Sequence, residues 1–400
     1  MLPFQIGRNR GAERNDHCRR VALLASRTSA FLPLERNTKR ALTTAAKLHH
    51  YWSPFHDDPV LEIAADILDR LYLPGEGGND ETALAARTLE ACGAFDEAME
   101  FAALEGIPLA QAAESFHNET GPCFDALIAD ALRRVTSGTE YRPSPGHLPV
   151  LPKLASLLMR TSDESVSSAD LARIAAGDPV LASRLIGAAN SGVYGSSNTI
   201  TRLNEAALRL GTPLARRVLI AACLGGLFAS KPLQKLWEHS QEVASAAFEL
   251  AETARIDGNT AWLAGLLHDI GRLVLLAAPA GPLVNLMELT EAGFPLVYAE
   301  TLIWQTDHAV VGAGLLRNWE IPEEIVTAVE AHHQPERSDN PLASILFLAE
   351  ERSAANSAPP GTKECLSPGL RAVASFRQTG LSRAALGEIG TSSRMLTMAG

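Results

Sequence analysis

Residues 259–277, NTAWLAGLLHDIGRLVLLA, decide the fold class, because their apolar residues recur at the three- and four-residue spacing of a helix. The same spacing returns along most of the chain, as in residues 60–72, VLEIAADILDRLY. Alanine and leucine are abundant and runs of β-branched residues are few, a composition that favours helices over sheets. The sequence therefore predicts an all-α fold.

Within this stretch His268 and Asp269 are adjacent, and adjacent side chains on a helix diverge by about 100°. They can meet at one ion only where the helix ends or bends, and Gly271 offers such a point. A helix end or bend near this pair is therefore expected if the two side chains act together.

A chain of 400 residues is longer than one compact core usually takes, so two domains are expected. Residues 136–149, TSGTEYRPSPGHLP, combine three prolines and two glycines with no helical spacing, which is typical of a linker. We predict a flexible N-terminus at 1–16, a helical domain at 17–135, a linker at 136–147, a second helical domain at 148–355 and a flexible tail at 356–400.

Charge and cysteine content exclude several classes of partner. The formal net charge is -11 and the pI is about 5.5, so no general attraction to nucleic acid or anionic lipid is expected. The five cysteines include no CxxC pair, which argues against a disulfide framework or a cysteine zinc site. We expect a cytoplasmic protein, because no signal-like start and no membrane-length apolar run is present.

The second domain carries a series of short motifs: LPVLP at 148–152, Asp178-Pro179, Asn190-Ser191 followed by Tyr194-Gly195, GLLHDIGR at 265–272, and Ala331-His332-His333. In this order, over residues 145–355, they resemble the HDOD domain, the regulatory relative of the HD phosphohydrolases. The resemblance implies a helical bundle with a bacterial signalling role, and HDOD domains are regarded as non-catalytic.

The same resemblance implies a ligand set for a divalent transition metal (Fe, Mn, Ni or Zn): His239, His268, Asp269, His308, His332, His333 and Glu350. Glu350 stands where the metal-dependent members have aspartate, so an extra methylene moves its carboxylate. Arg272 stands where hydrolases usually have lysine, and its guanidinium is a candidate phosphate contact. The Gly-Tyr-Pro signature of cyclic di-GMP phosphodiesterases is absent after His333.

The first domain resembles a degenerate HD-GYP unit, in the runs HCRRVALLA at 17–25, AAKLHH at 45–50, EACGAFDEA at 90–98 and GPCFD at 121–125. The resemblance implies that its chemistry is lost, because His50 replaces the carboxylate after His49 and the last metal aspartate aligns with Gly93. A structural or dimerising role is the preferred interpretation, and a three-ligand remnant is the alternative. The chain is then two HD-superfamily-like helical bundles in tandem.

Other conspicuous residues have structural interpretations. Asn190 and Ser191 are expected to cap a turn, with ligand binding as the alternative. Arg216-Arg217 is interpreted as a solvated helix face rather than a nucleic-acid site. The tryptophans are expected to pack in the core: Trp237, Trp262, Trp304 and Trp319.

Three functional hypotheses follow. The preferred one is a non-catalytic HDOD signal-output or scaffold protein that relays a state by binding a signalling protein or a nucleotide, with a homodimer as a further expectation. The alternative is a metal-dependent phosphohydrolase acting on a nucleotide or cyclic dinucleotide. The third is a purely structural adaptor without a ligand.

Overall fold

A computed structural model describes residues 10–50, 58–72, 80–105, 107–120, 123–138, 143, 166–191, 199–357, 375 and 379. These ranges contain helices and turns and no strand, so the prediction of an all-α fold is confirmed. Several predicted features lie outside them, namely the LPVLP opening with the helix to Met159, the Tyr194-Gly195 step, and nearly all of the predicted tail.

The chain divides into two compact units. The first unit comprises residues 1–143 and 276–307, and the second comprises residues 144–275 and 308–400. The predicted boundaries were continuous in sequence and remain predictions. Residues 276–307 nevertheless belong to the first unit, since Arg27 pairs with Glu288 at 2.7 Å and Gln305 donates to the carbonyl of Thr136.

The first unit is built from eight described helices. Its core is formed by fully buried side chains such as Leu24, Leu42, Ile67 and Phe95. The helices are α1 (Arg10–Ser29), α2 (Arg36–Leu48), α3 (Pro59–Tyr72), α4 (Glu81–Glu105), α5 (Leu109–Ser115), α6 (Ala126–Thr136), α13 (Ala280–Glu291) and α14 (Leu296–Trp304).

The second unit contains the remaining described helices. Its core includes the fully buried Leu250, Leu267, Val329 and Leu346. The helices are α7 (Ser168–Ala176), α8 (Pro179–Ala189), α9 (Leu203–Gly225), α10 (Lys231–Ala254), α11 (Gly258–Leu267), α12 (Gly271–Leu276), α15 (His308–Asn318), α16 (Glu323–Ala331) and α17 (Pro341–Ser357).

Local sequence signals set several helix ends. Ser167 and Asp170 form a reciprocal capping box at the start of α7. Asp178 caps α8 through the backbone N–H groups of residues 180 and 181, and Pro179 occupies the first turn. Gly211 has a φ of 72° and interrupts α9 ahead of Pro213.

Three helix bounds differ from the expectations. Helix α1 begins at Arg10, inside the predicted flexible N-terminus, because Ala12, Glu13 and Arg14 favour helix without an apolar stripe. The beginning of the helical domain expected at 17–135 is divided near Pro33 into α1 and α2, because proline cannot continue the hydrogen-bond ladder of a helix. The stretch 259–277 forms two helices, α11 and α12, separated at residues 268–270.

One described helical stretch, Leu203–Phe228, is long and apolar enough to cross a membrane by length and composition alone. The interior helix of a globular protein passes the same test, and one such stretch is weak evidence of a span. Its interruption at Gly211 further weakens that interpretation.

Candidate metal centre

The second unit brings the predicted ligand positions together from five helices. His239 lies on α10, and His268 and Asp269 follow the end of α11. His308 opens α15. The remaining three follow α16 or lie on α17: His332, His333 and Glu350. Helix α11 ends at Leu267. In the turn that follows, Nε2 of His268 lies 3.7 Å from Oδ2 of Asp269, so both side chains reach one site.

Gly271 allows α12 to approach α15 at backbone contact. A Cβ at this position would lie 2.0 Å from the carbonyl oxygen of His308 and 2.6 Å from the amide nitrogen of Gly312. Only glycine fits such an approach. It places the Nε2 atom of His308 3.0 Å from Oδ1 of Asp269.

The backbone fixes the ring orientation of two histidines. Nδ1 of His268 lies 2.7 Å from the carbonyl oxygen of Gly265, and Nδ1 of His332 lies 2.5 Å from that of Val329. A carbonyl oxygen only accepts, so Nδ1 donates in both rings and the Nε2 lone pairs face the centre. Metal-binding histidines are commonly oriented through their second nitrogen in this way.

Both Nε2 atoms are buried and lack a hydrogen-bond partner among the described residues. Oε1 of Glu350 lies 3.2 Å from Nε2 of His268 and 3.9 Å from Nε2 of His332, and neither contact has the geometry of a hydrogen bond. Glu350 therefore reaches the centre despite its extra methylene. Leaving buried nitrogens unpaired costs about 1–3 kcal/mol each, so the centre favours a cation at this point.

The two carboxylates are held in their charged form. Burial alone would raise the pKa of Asp269, but His268, His308 and Arg272 hold it well below its usual value. Burial opposes ionisation of Glu350 as well, and the neighbouring rings of His333, His332 and His268 lower its pKa nevertheless. The centre thus offers two anionic oxygen donors.

Most of the imidazoles are held neutral, as metal ligation requires. Burial lowers the pKa of His239 and His332 and lowers that of His333 well below its ordinary value. His268 differs, because the charges of Asp269 and Glu350 outweigh its burial and raise its pKa. The two neighbouring carboxylates therefore favour a proton or a metal ion on the His268 ring.

The donors form two overlapping groups with ligand atoms within 4.8 Å of one another: His268, Asp269, His332 and Glu350, and then His308, His332 and His333. The ring centroid of His239 lies 5.2 Å from that of His268. A mixed set of imidazole and carboxylate donors matches a first-row transition metal, and the shared His332 allows one ion or two. The residues present therefore fit the group that the sequence implied.

Arg272 lies at the edge of the centre. One guanidinium nitrogen is 2.8 Å from Oδ2 of Asp269, and about a third of the side chain is exposed. An arginine in this position orients a buried carboxylate and presents positive charge to solvent. Its predicted contact with phosphate remains a prediction.

The other predicted residues have packing roles, with one correction. The amide of Asn190 donates to the carbonyl of Ile200 at 2.7 Å and accepts its N–H at 2.8 Å, which closes a loop. Trp262 and Trp304 are buried, whereas Trp237 and Trp319 are half-buried. Arg217 is not on a solvated face, because its guanidinium stacks 4.2 Å from the ring centroid of Phe248.

A second cluster lies in the first unit, around a carboxylate that the sequence pattern did not indicate. Oδ2 of the buried Asp96 lies 2.8 Å from Nδ1 of His17. Arg20 donates to both oxygens of Asp96, at 2.9 and 2.8 Å. In the sequence, only the three-residue spacing of His17 and Arg20 indicates that the two side chains share one face of α1.

The described residues of the second unit are helical, and their cluster of histidines and carboxylates lies where α11, α15, α16 and α17 meet. Residues 148–335 match the model of the HDOD domain family. The chain therefore contains an HDOD domain, and the resemblance stated from the sequence is confirmed for this region.

Several known proteins are similar to parts of this chain. A solved HDOD domain protein with unknown function from Geobacter sulfurreducens is 22% identical, covers 63% of this chain and 92% of its own, and has a TM-score of 0.55, which shows the fold. An uncharacterized protein of Treponema pallidum is 25% identical over 50% of this chain and 41% of its own length. Ribonuclease Y of Thermus thermophilus is 30% identical over 45% of this chain and 27% of its own. The chain thus matches less than half the length of these curated relatives.

Proposed function

We propose that this chain is a bacterial cytoplasmic signalling protein whose HDOD domain binds a divalent transition-metal ion and relays a state to a partner protein or nucleotide. The observation that carries the proposal is the pair of buried, unpartnered Nε2 atoms on His268 and His332. If these histidines only packed the core, we would expect each Nε2 atom to be hydrogen-bonded or the side chain to be apolar. A buried nitrogen without a partner costs free energy.

The residues suit a relay as well as binding. His268 and Asp269, His332 and Glu350 come from α11, α16 and α17, and their donors would hold the ion. When bound, such an ion supplies Lewis acidity and an acidified water. An ion shared by the ends of α11 and α16 and by the middle of α17 fixes the separation of these helices, so its occupancy is a state that a surface partner could distinguish.

Metal content of full-length protein, purified without chelator and measured by mass spectrometry, tests this proposal. His268→Ala with His332→Ala should lower the content by at least one ion per chain. Glu350→Gln should weaken binding, whereas Glu336→Gln, an exposed glutamate outside the centre, should not. Equal metal content in the wild type and the double variant would refute the proposal.

A second candidate is a metal-dependent phosphohydrolase acting on a nucleotide or cyclic dinucleotide. The partial exposure of Arg272, Glu350 and His333 favours it, because a phosphate could then reach the edge of the centre. Manganese-loaded protein should hydrolyse a chromogenic phosphodiester, and Asp269→Asn should abolish turnover. Complementation of a deletion strain by His268→Ala with Asp269→Ala would count against this activity and also against a relay that depends on the bound ion.

A further inference from the structure

The first unit encloses a cavity that the proposed function does not use. Helices α1, α6, α13 and α14 form its walls, and all of its lining residues belong to this unit. The cavity measures about 480 Å³, including the space at its open mouth. Volumes of about 300–1,000 Å³ are typical of sites that bind small molecules. We call this space the first-unit cavity.

The inner surface of the first-unit cavity is aliphatic. Leu24 comes from α1 and Leu289 from α13, while α14 supplies Leu302 and Ile303. All four side chains are buried in the unit. Because they neither donate nor accept hydrogen bonds, a polar group placed against them would lose its partners in water without replacement. The inner part of the cavity therefore suits a hydrocarbon group.

One wall is held in place by a close approach of two chain segments. Gly138 follows α6 with a φ of 79°, and a Cβ at this position would lie 2.8 Å from the carbonyl oxygen of Ile303. The side-chain amide of Gln305 also donates to the carbonyl oxygen of Thr136. Glycine alone tolerates both the conformation and the contact. Specific contacts thus fix the end of α6 against the end of α14 beside the cavity.

The polar lining residues are two arginines and an amide. Arg134 is exposed, whereas Arg27 and Asn285 are half-buried. Arg27 pairs with Glu288 at 2.7 Å, and Arg134 pairs with Asp130 at 2.9 Å. A guanidinium has five N–H donors, so one ion pair leaves further donors for a second anion. The amide of Asn285 can donate to the same anion.

The charge of the lining favours an anion. It includes two arginines and, among the described residues, no acidic side chain, although the whole chain has a formal net charge of -11. The carboxylates of Glu288 and Asp130 contact the arginines but do not line the cavity. A guanidinium matches the planar geometry of a carboxylate and can bind it through two parallel hydrogen bonds.

We propose that the first-unit cavity binds a small carboxylate with a short aliphatic chain. The chain lies against the leucines and Ile303, and the carboxylate meets Arg27 and Arg134 at the mouth. Such a ligand contacts all four helices at once, so it stabilises the first unit when it binds. The site is separate from the metal centre, and its occupancy does not depend on the proposed function.

Isothermal titration calorimetry of the full-length chain with acetate, butyrate and hexanoate tests the site. The dissociation constant should fall about fourfold for each added methylene, the gain expected from burying one CH₂ group. Hexylamine has the same chain and the opposite charge, and it should bind at least about 10-fold more weakly than hexanoate. In saturation-transfer NMR the terminal methyl group of hexanoate should receive the strongest signal.

Variants locate the binding in this cavity. Arg134→Gln should weaken hexanoate binding about 10-fold, as expected for the loss of one charge-assisted hydrogen bond. Arg40→Gln, at an exposed arginine of α2, is the matched control and should bind like the wild type. Asn285→Trp should fill the mouth and abolish binding, with circular dichroism to check that it is folded. Absence of hexanoate binding, equal binding of hexylamine, or unchanged affinity in Arg134→Gln would overturn the proposal.

Discussion

Replacing Gly271 by alanine should damage the metal centre, although alanine favours helix. The new Cβ would lie 2.0 Å from the carbonyl oxygen of His308, whereas ordinary contacts begin at 3.4 Å. Helices α12 and α15 must therefore separate by about 1.4 Å. That movement takes Asp269 out of its 3.0 Å contact with His308.

The magnitude follows from two opposed effects. Alanine in place of glycine within a helix stabilises by about 1 kcal/mol. Overpacking against rigid backbone costs typically 1–3 kcal/mol and more where nothing can move. Since the contact is with backbone atoms, we expect a net destabilisation of about 1–2 kcal/mol.

Urea unfolding of the Gly271→Ala variant measures the change in stability, and zinc titration measures the change in metal affinity. Zinc affinity in the second unit should fall about 10–100-fold, as it does when second-shell support is lost. Gly314→Ala, on the contacted helix α15, is the matched control, because a Cβ at that position would meet nothing within 4 Å. Stability and affinity equal to the wild type in Gly271→Ala would refute the reasoning.

Three further perturbations test other parts of the structure. Burial lowers the pKa of His117 to about 4, so the folded chain resists its protonation, and stability should fall by about 1–2 kcal/mol as pH drops from 6.5 toward 4. His117→Gln should flatten that dependence in urea unfolding at several pH values, and an unchanged slope would contradict it. Ser167→Ala should destabilise by about 1 kcal/mol in the same assay, whereas Ser183→Ala should not. Arg217→Met should cost about 0.5–2 kcal/mol through the lost contact with Phe248, and a more stable variant would count against it.

The resemblance to the HDOD and HD families implied the candidate ligand positions of the second unit, and the structure brings them together. Each belongs to a helix end or a buried face that the apolar pattern defines, as with Leu267 before His268 and Leu348-Ala349 before Glu350. The need for a bend after Leu267 also followed from helix geometry alone. The all-α class and the caps at Ser167 and Asp178 were local properties of the same kind.

Other features depended on contacts between distant parts of the chain. The role of Asp96 is set by Arg20 and His17, 76 and 79 residues earlier, and no local pattern distinguished it from Gly93. The place of residues 276–307 in the first unit depends on pairs such as Arg27 with Glu288. The burial of Arg217 depends on Phe248 from another helix. Long-range pairing of this kind leaves no periodic signal in a single sequence.

Anomalous diffraction from zinc-soaked crystals of the full chain tests the central claim most directly. We expect an anomalous peak about 2.0–2.1 Å from the Nε2 atoms of His268 and His332, with Asp269 and Glu350 beside it. The peak should be absent in crystals of His268→Ala with His332→Ala. A wild-type crystal with no peak between these four residues would contradict the account.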